Sequence, residues 1–340
     1  MPAISAQSRV RAFVLGLFGW TSRIAGALCG VSGFMRWRIA TSDNPYVDHS
    51  VWATYGLPTI LMGLGFLLLT AGMRLNRLRR QHLAPVIHSS KELVGERYVL
   101  YLRVFDDDEL RTALEAPLGT RTNLLRGLTA PHFHSYRTQE EQLADAFRRK
   151  VAPMVAVGRP DEKLPLVGAR RLYLPLNDWQ DTVLTLIRGA QLVVLVAGTR
   201  PGFMWELVQT LHDVSPERVL LLVPMDSAEY DDFRILALRA LHEHAETLRA
   251  TDGEKWTPPG LPDYPEGWVP PPRTNFAIKG AISFDVSWQP QFVRFDTTDV
   301  KVRPRYPLRS AVEDGLRPVL ERTRSAVAGV DRPPFGAGHP

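Results

Sequence analysis

Glu206 is the residue whose type and position in this sequence are best suited to chemistry. It lies in the stretch AQLVVLVAGTRPGFMWELVQTLHDV, residues 190–214, where an apolar run ends at Gly198 and the start of a helix follows. The bulky neighbour Trp205 would raise the pKa of the Glu206 carboxyl group or stack on a flat ring of a ligand. Gly202 would let a ligand come close to the backbone. The stretch therefore predicts a ligand site with Glu206 as its reactive group.

Other polar and aromatic residues follow the ends of predicted strands, where open parallel sheets bind their ligands. The candidate ligand contacts are Phe105, Asp106, Asp107, Arg159, Trp179, Arg200, Gly202 and Trp205. The arginines among them are suited to binding phosphate groups. The sequence thus predicts a crevice at one edge of a sheet, lined by residues from several connections.

The same residues also fit simpler explanations. The helix macrodipole alone favours an acidic residue in a first helical turn, so Glu206 could be exposed and solvated. The acidic run that follows Phe105 could likewise be a solvated turn. His132 and His134 lie in a predicted loop without further ligand residues, which is typical of surface histidines, and no metal site is predicted.

The candidate site residues lie in a region where predicted strands and helices alternate. Apolar stretches predict strands at 98–105, 153–158, 191–198 and 217–226. Amphipathic stretches predict helices at 138–152, 178–190, 202–214 and 228–248. The first helix opens with a capping box formed by Thr138 and Glu141. Strands that are apolar on both faces and separated by helices indicate an α/β fold, in which a parallel sheet is covered by helices on both faces.

Two apolar stretches precede this region. Residues 12–35 contain one charged residue, Arg23, and residues 52–73 contain none. Each stretch reaches the roughly 20 residues needed to cross a bilayer, so the sequence predicts a two-helix transmembrane hairpin. Arg23 is expected to reach the interface or face a partner, because a central arginine costs about 2.5–3.5 kcal/mol. Gly26 and Gly30 are spaced as in a GxxxG packing face.

Arginines flank this hairpin on one side. Arg9 and Arg11 precede the first span, and four arginines follow the second span between residues 74 and 80. The loop between the spans carries Asp43 and Asp48 beside its own arginines. The positive-inside rule therefore predicts a multi-pass protein of the cell membrane with both termini in the cytoplasm.

The composition of the chain limits the classes of partner, and its sequence patterns predict the domain boundaries. The chain has 340 residues and a net charge of +5, yet its soluble part has no dense basic run, which argues against nucleic acid as a partner. The single cysteine, Cys29, allows no disulfide framework. The predicted organisation is a membrane anchor (1–83), a linker (84–97), an α/β domain (98–250), a C-terminal extension (251–327) and a disordered tail (328–340). The extension comprises a proline-rich loop, edge strands and a last helix with a kink at Pro318.

The segment VLTLIRGAQLVVLVAGTRPGFMWELVQTLHDVSPERVLLLVP, residues 183–224, resembles the central part of the TIR domain. In that family a helix ending in a small residue leads into an apolar strand, and an aromatic-containing turn leads into a helix that begins with Glu-Leu. The loop after Gly158, with Pro165 and Gly168, stands where TIR domains carry a long loop. The resemblance covers roughly residues 98–225 and implies a small flavodoxin/TIR-like sheet.

Proteins similar to nucleoside deoxyribosyltransferases belong to the same fold neighbourhood. They carry a glycine four residues before their glutamate, as Gly202 stands before Glu206. In both families this glutamate acts on a ribose carbon at an N-glycosidic bond, and in enzymatic TIR proteins the substrate is NAD. The resemblance therefore implies an N-glycosidase in which Glu206 is catalytic and NAD, or a related nucleotide, is a substrate and not a cofactor.

Many TIR domains act only as assembly modules, which leaves a non-catalytic signalling or scaffold module as the alternative. The partners implied are membrane lipid, a nucleotide ligand and a second copy of the chain, bound through the TIR-like domain or the hairpin. A phospho-receiver domain is disfavoured, because no aspartate ends the strand 153–158 and no lysine ends the strand 217–226.

Overall fold

The computed structural model describes residues 7–42, 46, 50–103, 138–158, 165, 167–174, 179–265, 276–295 and 307–330. The chain forms two compact units. One consists of Met1–Ala84 with Lys163–Leu166, and the other of Pro85–Glu162 with Val167–Pro340.

The first unit is an antiparallel pair of helices. Helix α1 is Arg9–Ala40, and helix α2 is Leu57–His82, preceded by a π-helical turn at Trp52–Gly56. Both are long and apolar enough to cross a membrane, and most of their large apolar side chains are exposed. The prediction of two apolar spans is confirmed at this level.

The two helices meet along small residues spaced seven apart. These are Gly19, Gly26 and Gly33 in α1, and Pro58, Gly65 and Gly72 in α2. A Cβ atom placed on Gly26 would lie 2.8 Å from the carbonyl oxygen of Gly65, which leaves no room for a side chain. A Cβ atom on Gly30 would meet nothing within 4 Å. The contact therefore follows a heptad seam, and the predicted Gly26 and Gly30 pair lies on it, because a Cβ atom on Gly65 would also lie 2.8 Å from the backbone nitrogen of Gly30.

The second unit contains one eight-stranded sheet and six helices in its described residues. The strands are β1 Val86–Ile87, β2 Val99–Leu102, β3 Met154–Gly158, β4 Arg170–Tyr173, β5 Leu192–Val196, β6 Val219–Val223, β7 Gly280–Phe284 and β8 Pro290–Arg294. The helices are α3 Gln139–Lys150, α4 Trp179–Gly189, α5 Pro201–Asp213, α6 Ser227–Thr251, α7 Pro307–Gly315 and α8 Arg317–Val330. Short 3-10 helices occupy Ser90–Leu93 and Pro216–Arg218.

The strand order across the sheet is β1-β4-β3-β2-β5-β6-β7-β8. The pairs from β1 to β6 are parallel, and β7 and β8 are added antiparallel at the β6 edge. The predicted α/β class with a mostly parallel sheet is confirmed. After β2 the chain passes to β3 on one side and later to β5 on the other. The order therefore reverses at β2, and the carboxyl ends of β2 and β5 lie side by side.

Helices cover both faces of this sheet. Alternating residues of each strand enter two separate cores, as Leu100 and Leu102 do on one face and Val99 and Tyr101 on the other. The first core is shared with α4, α5 and α6, and the second with α3, α7 and α8. The strands are apolar on both sides because both sides are covered.

The regions outside the predicted α/β domain also join the sheet. The stretch interpreted as a linker contains β1, which pairs with β4. The C-terminal extension supplies β7, β8, α7 and α8, and the side chains of Gln139 and Gln142 accept hydrogen bonds from the backbone of Ala277 and Leu308. The predicted last helix divides into α7 and α8 just before Pro318, whose ring lacks the N–H that a continuous helix needs. Helix α8 reaches Val330, beyond the predicted start of the tail.

Candidate functional site

Helix α5 places Glu206 one turn deeper than its sequence suggested. The helix begins at Pro201, with Arg200 as an N-cap residue that makes no side-chain cap, and its first turn contains no acidic residue. Glu206 thus lies in the second turn, where the macrodipole has little effect on a charge. It is only 8% exposed. The explanation as a solvated first-turn residue is contradicted by both its position and its burial.

The carboxyl group of Glu206 has no compensating partner in the described part of the chain. Among the described residues it makes no hydrogen bond and no ion pair, and burial raises its pKa from 4.5 to about 8. Desolvation disfavours the charged form, and no nearby cation opposes this effect. At neutral pH, without a ligand, the group is therefore mainly protonated. A raised pKa of this kind is typical of carboxyl groups kept for binding or catalysis.

Aromatic rings surround this end of α5. Trp205 packs edge-on against Trp179, the first residue of α4, with ring centroids 5.1 Å apart and planes at 79°. Phe203 lies 6.1 Å from Phe233 of α6, measured between ring centroids. Trp179 and Trp205 are only partly buried, so both keep some apolar surface exposed to solvent. Two tryptophans from two helices are thus in contact near the start of α5.

The entrance to α5 is open. Arg200 and Gly202 are both exposed, and a Cβ atom placed on Gly202 would meet nothing within 4 Å. Gly202 has no positive φ angle, so neither packing nor backbone conformation requires glycine there. The first backbone N–H groups of a helix have no partner within the helix and attract anions. Together with Arg200 they can hold a negatively charged group of a ligand.

The remaining predicted contacts cannot all be placed. Phe105, Asp106, Asp107 and Arg159 lie outside the described residues. Their predicted roles remain predictions. The structure brings Trp179 and Trp205 into contact and places Arg200, Gly202 and Glu206 on the same helix entrance, beside the point where the strand order reverses.

A second group of buried charges lies on the opposite face of the sheet. Arg171 of β4 is fully buried and forms an ion pair with Glu140 of α3, and Arg103, directly after β2, lies 3.6 Å from the same carboxylate. The hydroxyl group of Tyr101 is buried beside them, and its pKa is raised first by burial and then by Glu140. This cluster could not be predicted from the sequence, because its members are separated by a long insertion.

A histidine network ties the other ends of α5 and α6 together. The Nδ1 atom of His212 lies 2.8 Å from Asp213, and its Nε2 atom lies 3.3 Å from Glu254. Its ring packs edge-on against His244 and Trp256. Burial, and next the neighbouring His212, lower the pKa of His244. Within the described residues no group of three or more His, Cys, Asp and Glu side chains is arranged to hold a metal ion.

Comparison with known proteins does not assign this chain to a family. Neither the family models, nor the curated proteins, nor the solved structures that were compared with the chain gave a match.

Proposed function

We propose that the second unit is a TIR-like nucleotide-binding domain in which Glu206 acts on an N-glycosidic bond, with NAD or a related nucleotide as substrate. The observation that carries the proposal is Glu206 itself, a buried carboxyl group at the carboxyl edge of a parallel sheet, with no partner among the residues that the structure describes. Such a group destabilises the fold when it is ionised, because its charge lacks compensation, and costly groups of this kind are typical of functional sites. Ligands of doubly wound sheets bind where the strand order reverses, and Glu206 follows a strand at that point.

The strand order supports a ligand of nucleotide size. Without β4, the parallel strands β3-β2-β5-β6 have the order of flavodoxin-like sheets, as in the predicted TIR-like fold. With β4 included, the order is that of sheets that bind dinucleotides across the same switch point. The glycine-rich fingerprint of the latter group is missing after β2, where the sequence reads RVFDDDELRT. The proposed site therefore relies on the entrance of α5 for the anionic part of the ligand.

In the proposed reaction the bond between the ribose C1′ atom and the nicotinamide nitrogen breaks, and its electron pair stays on that nitrogen. The cationic ribosyl group is stabilised or trapped by the ionised Glu206 carboxylate, and water then supplies the oxygen at C1′ and releases a proton. The positive charge of the bound nicotinamide ribosyl group lowers the pKa of Glu206 towards its ordinary value. Trp179 and Trp205 supply the flat apolar surface on which a base can stack.

The test is release of nicotinamide from NAD by the concentrated full-length chain in detergent. Wild type is expected to release nicotinamide, and Glu206→Gln is expected to have lost this activity. Glu229→Gln is the matched control, since Glu229 is an exposed acidic residue in the first turn of α6. Equal rates for wild type and Glu206→Gln remove Glu206 from catalysis. No release above background by any variant favours the scaffold function instead.

The dependence of this activity on pH is a separate prediction. The reactive form in the free enzyme is the ionised carboxylate, and the pKa of Glu206 is about 8. We therefore expect kcat/KM to rise about tenfold per pH unit below that pKa and to level off above it. A profile of kcat/KM between acidic and alkaline pH checks this, and a rate that is flat across neutral pH contradicts it.

We further propose that the first unit anchors the chain in the cell membrane with both termini in the cytoplasm. Its two helices have the required length and hydropathy, and Arg9, Arg11 and Arg74 stand at the same end of the antiparallel pair. A reporter fused after Pro340 is expected to be active only if that reporter folds in the cytosol. Activity of a reporter that requires the far side of the membrane contradicts this topology.

A further inference from the structure

The arginines at one end of the helical hairpin form a surface that we name the basic collar, consisting of Arg9, Arg11, Arg74 and Arg79. All four side chains are exposed. The described residues of the first unit, 7–42, 46 and 50–84, contain no aspartate or glutamate. The collar therefore has no carboxylate within the described hairpin to neutralise it.

The helix pairing places these arginines at the same end of the hairpin. Gly19 of α1 lies against Gly72 of α2 in the antiparallel seam. With a rise of about 1.5 Å per residue, Arg79 lies about 10 Å beyond that contact and Arg11 about 12 Å beyond it, on the same side. Arg74 lies about 3 Å beyond the contact, close to the end of the apolar stretch. The collar thus spans the depth at which a bilayer changes from acyl chains to phosphates.

Arg79 is held in place by the packing of the two helices. It stands seven residues after Gly72, in the seam position, where the small-residue pattern ends. A Cβ atom placed on Gly16 would lie 3.0 Å from both Cδ and Nε of Arg79. Glycine at position 16 therefore leaves the space in which the arginine side chain crosses onto α1. Its guanidinium group therefore lies against α1 at Gly16, while the side chain stays exposed at the surface of the helix pair.

Arg23 adds a fifth positive charge that points to the same end. Arg23 follows Gly19 by four residues in α1, which places its backbone further from the collar than Gly19. A Cβ atom on Gly72, the residue opposite Gly19, would nevertheless meet the Cγ atom of Arg23 at 2.6 Å. Its side chain therefore runs back along α1 towards the N-terminus, as helical side chains do. The charge within the span is directed towards the collar and not towards the opposite end.

From this arrangement we propose that the collar binds the phosphate groups of anionic phospholipids in the leaflet that contacts it. Arginine pairs with phosphate through two parallel hydrogen bonds, and clusters of basic residues directly beside a membrane span attract anionic headgroups. The proposal rests on the membrane anchoring proposed above. It goes further by assigning a lipid class and named residues, and it makes Arg79 with Gly16 the centre of the site.

The experiment measures which lipids remain bound to the full-length chain, extracted from vesicles that mix phosphatidylcholine with phosphatidylglycerol, by native mass spectrometry. Wild type is expected to retain phosphatidylglycerol enriched over its share in the vesicles. Arg79→Gln should reduce this enrichment about fivefold, which corresponds to about 1 kcal/mol for one basic residue near an anionic surface. Arg11→Gln with Arg79→Gln should reduce it further.

The matched control is Arg36→Gln with Arg38→Gln, because both are exposed arginines at the opposite end of the same hairpin. This variant should keep the enrichment at the wild-type level. Equal losses in the two double variants, or no loss in either, overturn the collar as the site. Displacement of the lipid by inorganic phosphate at constant ionic strength also overturns it, since the surface would then be a general anion site.

Vesicles of phosphatidylcholine alone distinguish a failure of the lipid-binding proposal from a failure of the membrane-anchor proposal. If an alkaline wash strips the chain from them, the anchor is wrong and the lipid assignment falls with it. If the chain stays bound to them but retains no excess of phosphatidylglycerol from the mixed vesicles, the anchor stands and the collar is wrong.

Discussion

Glu206 couples the ionisation of one carboxyl group to folding. Its pKa in the folded chain, about 8, lies above the ordinary 4.5, so the folded state keeps a proton that the unfolded chain releases. The free energy of unfolding should therefore fall as the pH rises from 4.5 to about 8, and this group should have no further effect above that range. The total change is of the order of a few kcal/mol, at about 1.4 kcal/mol per pKa unit.

Glu206→Gln should remove this part of the pH dependence, because glutamine stays neutral at every pH. We expect the variant to be as stable as wild type at acidic pH and more stable at alkaline pH. Denaturant unfolding of the full-length chain at several pH values measures both curves. Glu229→Gln should keep the wild-type slope, and a clear loss of stability in Glu206→Gln at alkaline pH would make Glu206 a structural residue.

Arg171 gives a second prediction at the scale of single residues. Removing Arg171 leaves the buried Glu140 carboxylate with less compensation, since among the described residues only Arg103 remains, at 3.6 Å, so Arg171→Ala should cost about 3–5 kcal/mol. The exposed side chain of Arg149 forms an ion pair with Asp145, 3.2 Å apart, and Asp145 keeps its ion pairs with Arg148 and Arg309 when Arg149 is removed. Arg149→Ala should cost less than about 1 kcal/mol. Unfolding of the two variants side by side tests the difference, and equal costs would contradict the role of burial.

These residues differ in how far the sequence could predict them. Glu206 could be found because a single continuous stretch carries the strand, the turn and the helix that position it. The burial of Arg171 could not be predicted: a short strand at 171–174 is one interpretation of the long loop, but two adjacent arginines there do not indicate which of them is buried. The burial of Arg171 depends on Glu140, which is 31 positions away in the chain. Local patterns contain no information about such a partner.

Among the helices, the seam of the hairpin makes the sharpest prediction. A Cβ atom on Gly65 would lie 2.7 Å from the carbonyl oxygen of Gly26, whereas one on Gly63 would meet nothing within 4 Å. Gly65→Leu should therefore force α1 and α2 apart, and Gly63→Leu should leave their distance unchanged. Spin labels on Trp20 and Ala71, both exposed, report that distance in the full-length chain. If the distance between the two labels in Gly65→Leu equals that in the wild type, the close contact between the helices is contradicted.

Helix α3 illustrates what periodicity could and could not establish about an element. Its capping box at Thr138 and Glu141 is present, and its apolar residues Leu143 and Phe147 face the core as predicted. The same helix also buries polar residues that a surface helix would expose: Gln139, Glu140, Gln142 and Asp145. They are buried because the C-terminal extension and the two arginines of the sheet cover them. Periodicity indicated the apolar face but not the second covering layer.

For the whole molecule, the C-terminal extension is part of the fold. Removing residues 276–340 would uncover the β6 edge, whose partner is β7, and would remove Leu308 and Val312 from the second core. We expect this truncated chain to aggregate. Removing residues 331–340 alone should leave the melting temperature unchanged. Size-exclusion chromatography with thermal unfolding compares the two, and a monomeric, cooperatively folded chain without 276–340 contradicts the assignment.

The overall architecture was predictable in class but not in arrangement. Alternating apolar and amphipathic stretches were enough to indicate an α/β sheet with helices on both faces. The position of β4 beyond β3, and the pairing of Val86 and Ile87 with it, follow from contacts between distant segments. A strand of two residues leaves no periodic signal in a sequence. The placement of β1 therefore had to come from the structure.

The antiparallel pairing of β7 with β6 has a consequence for biosynthesis. Strand β6 ends at Val223, and its partner β7 begins only at Gly280, so 56 residues separate them. At about 5–20 residues per second, the ribosome needs roughly 3 to 11 seconds to supply that partner. During this interval the apolar strand VLLLV presents an unpaired edge to other nascent chains. Changes that slow translation between these strands should lower the yield of the protein without altering the stability of the finished molecule.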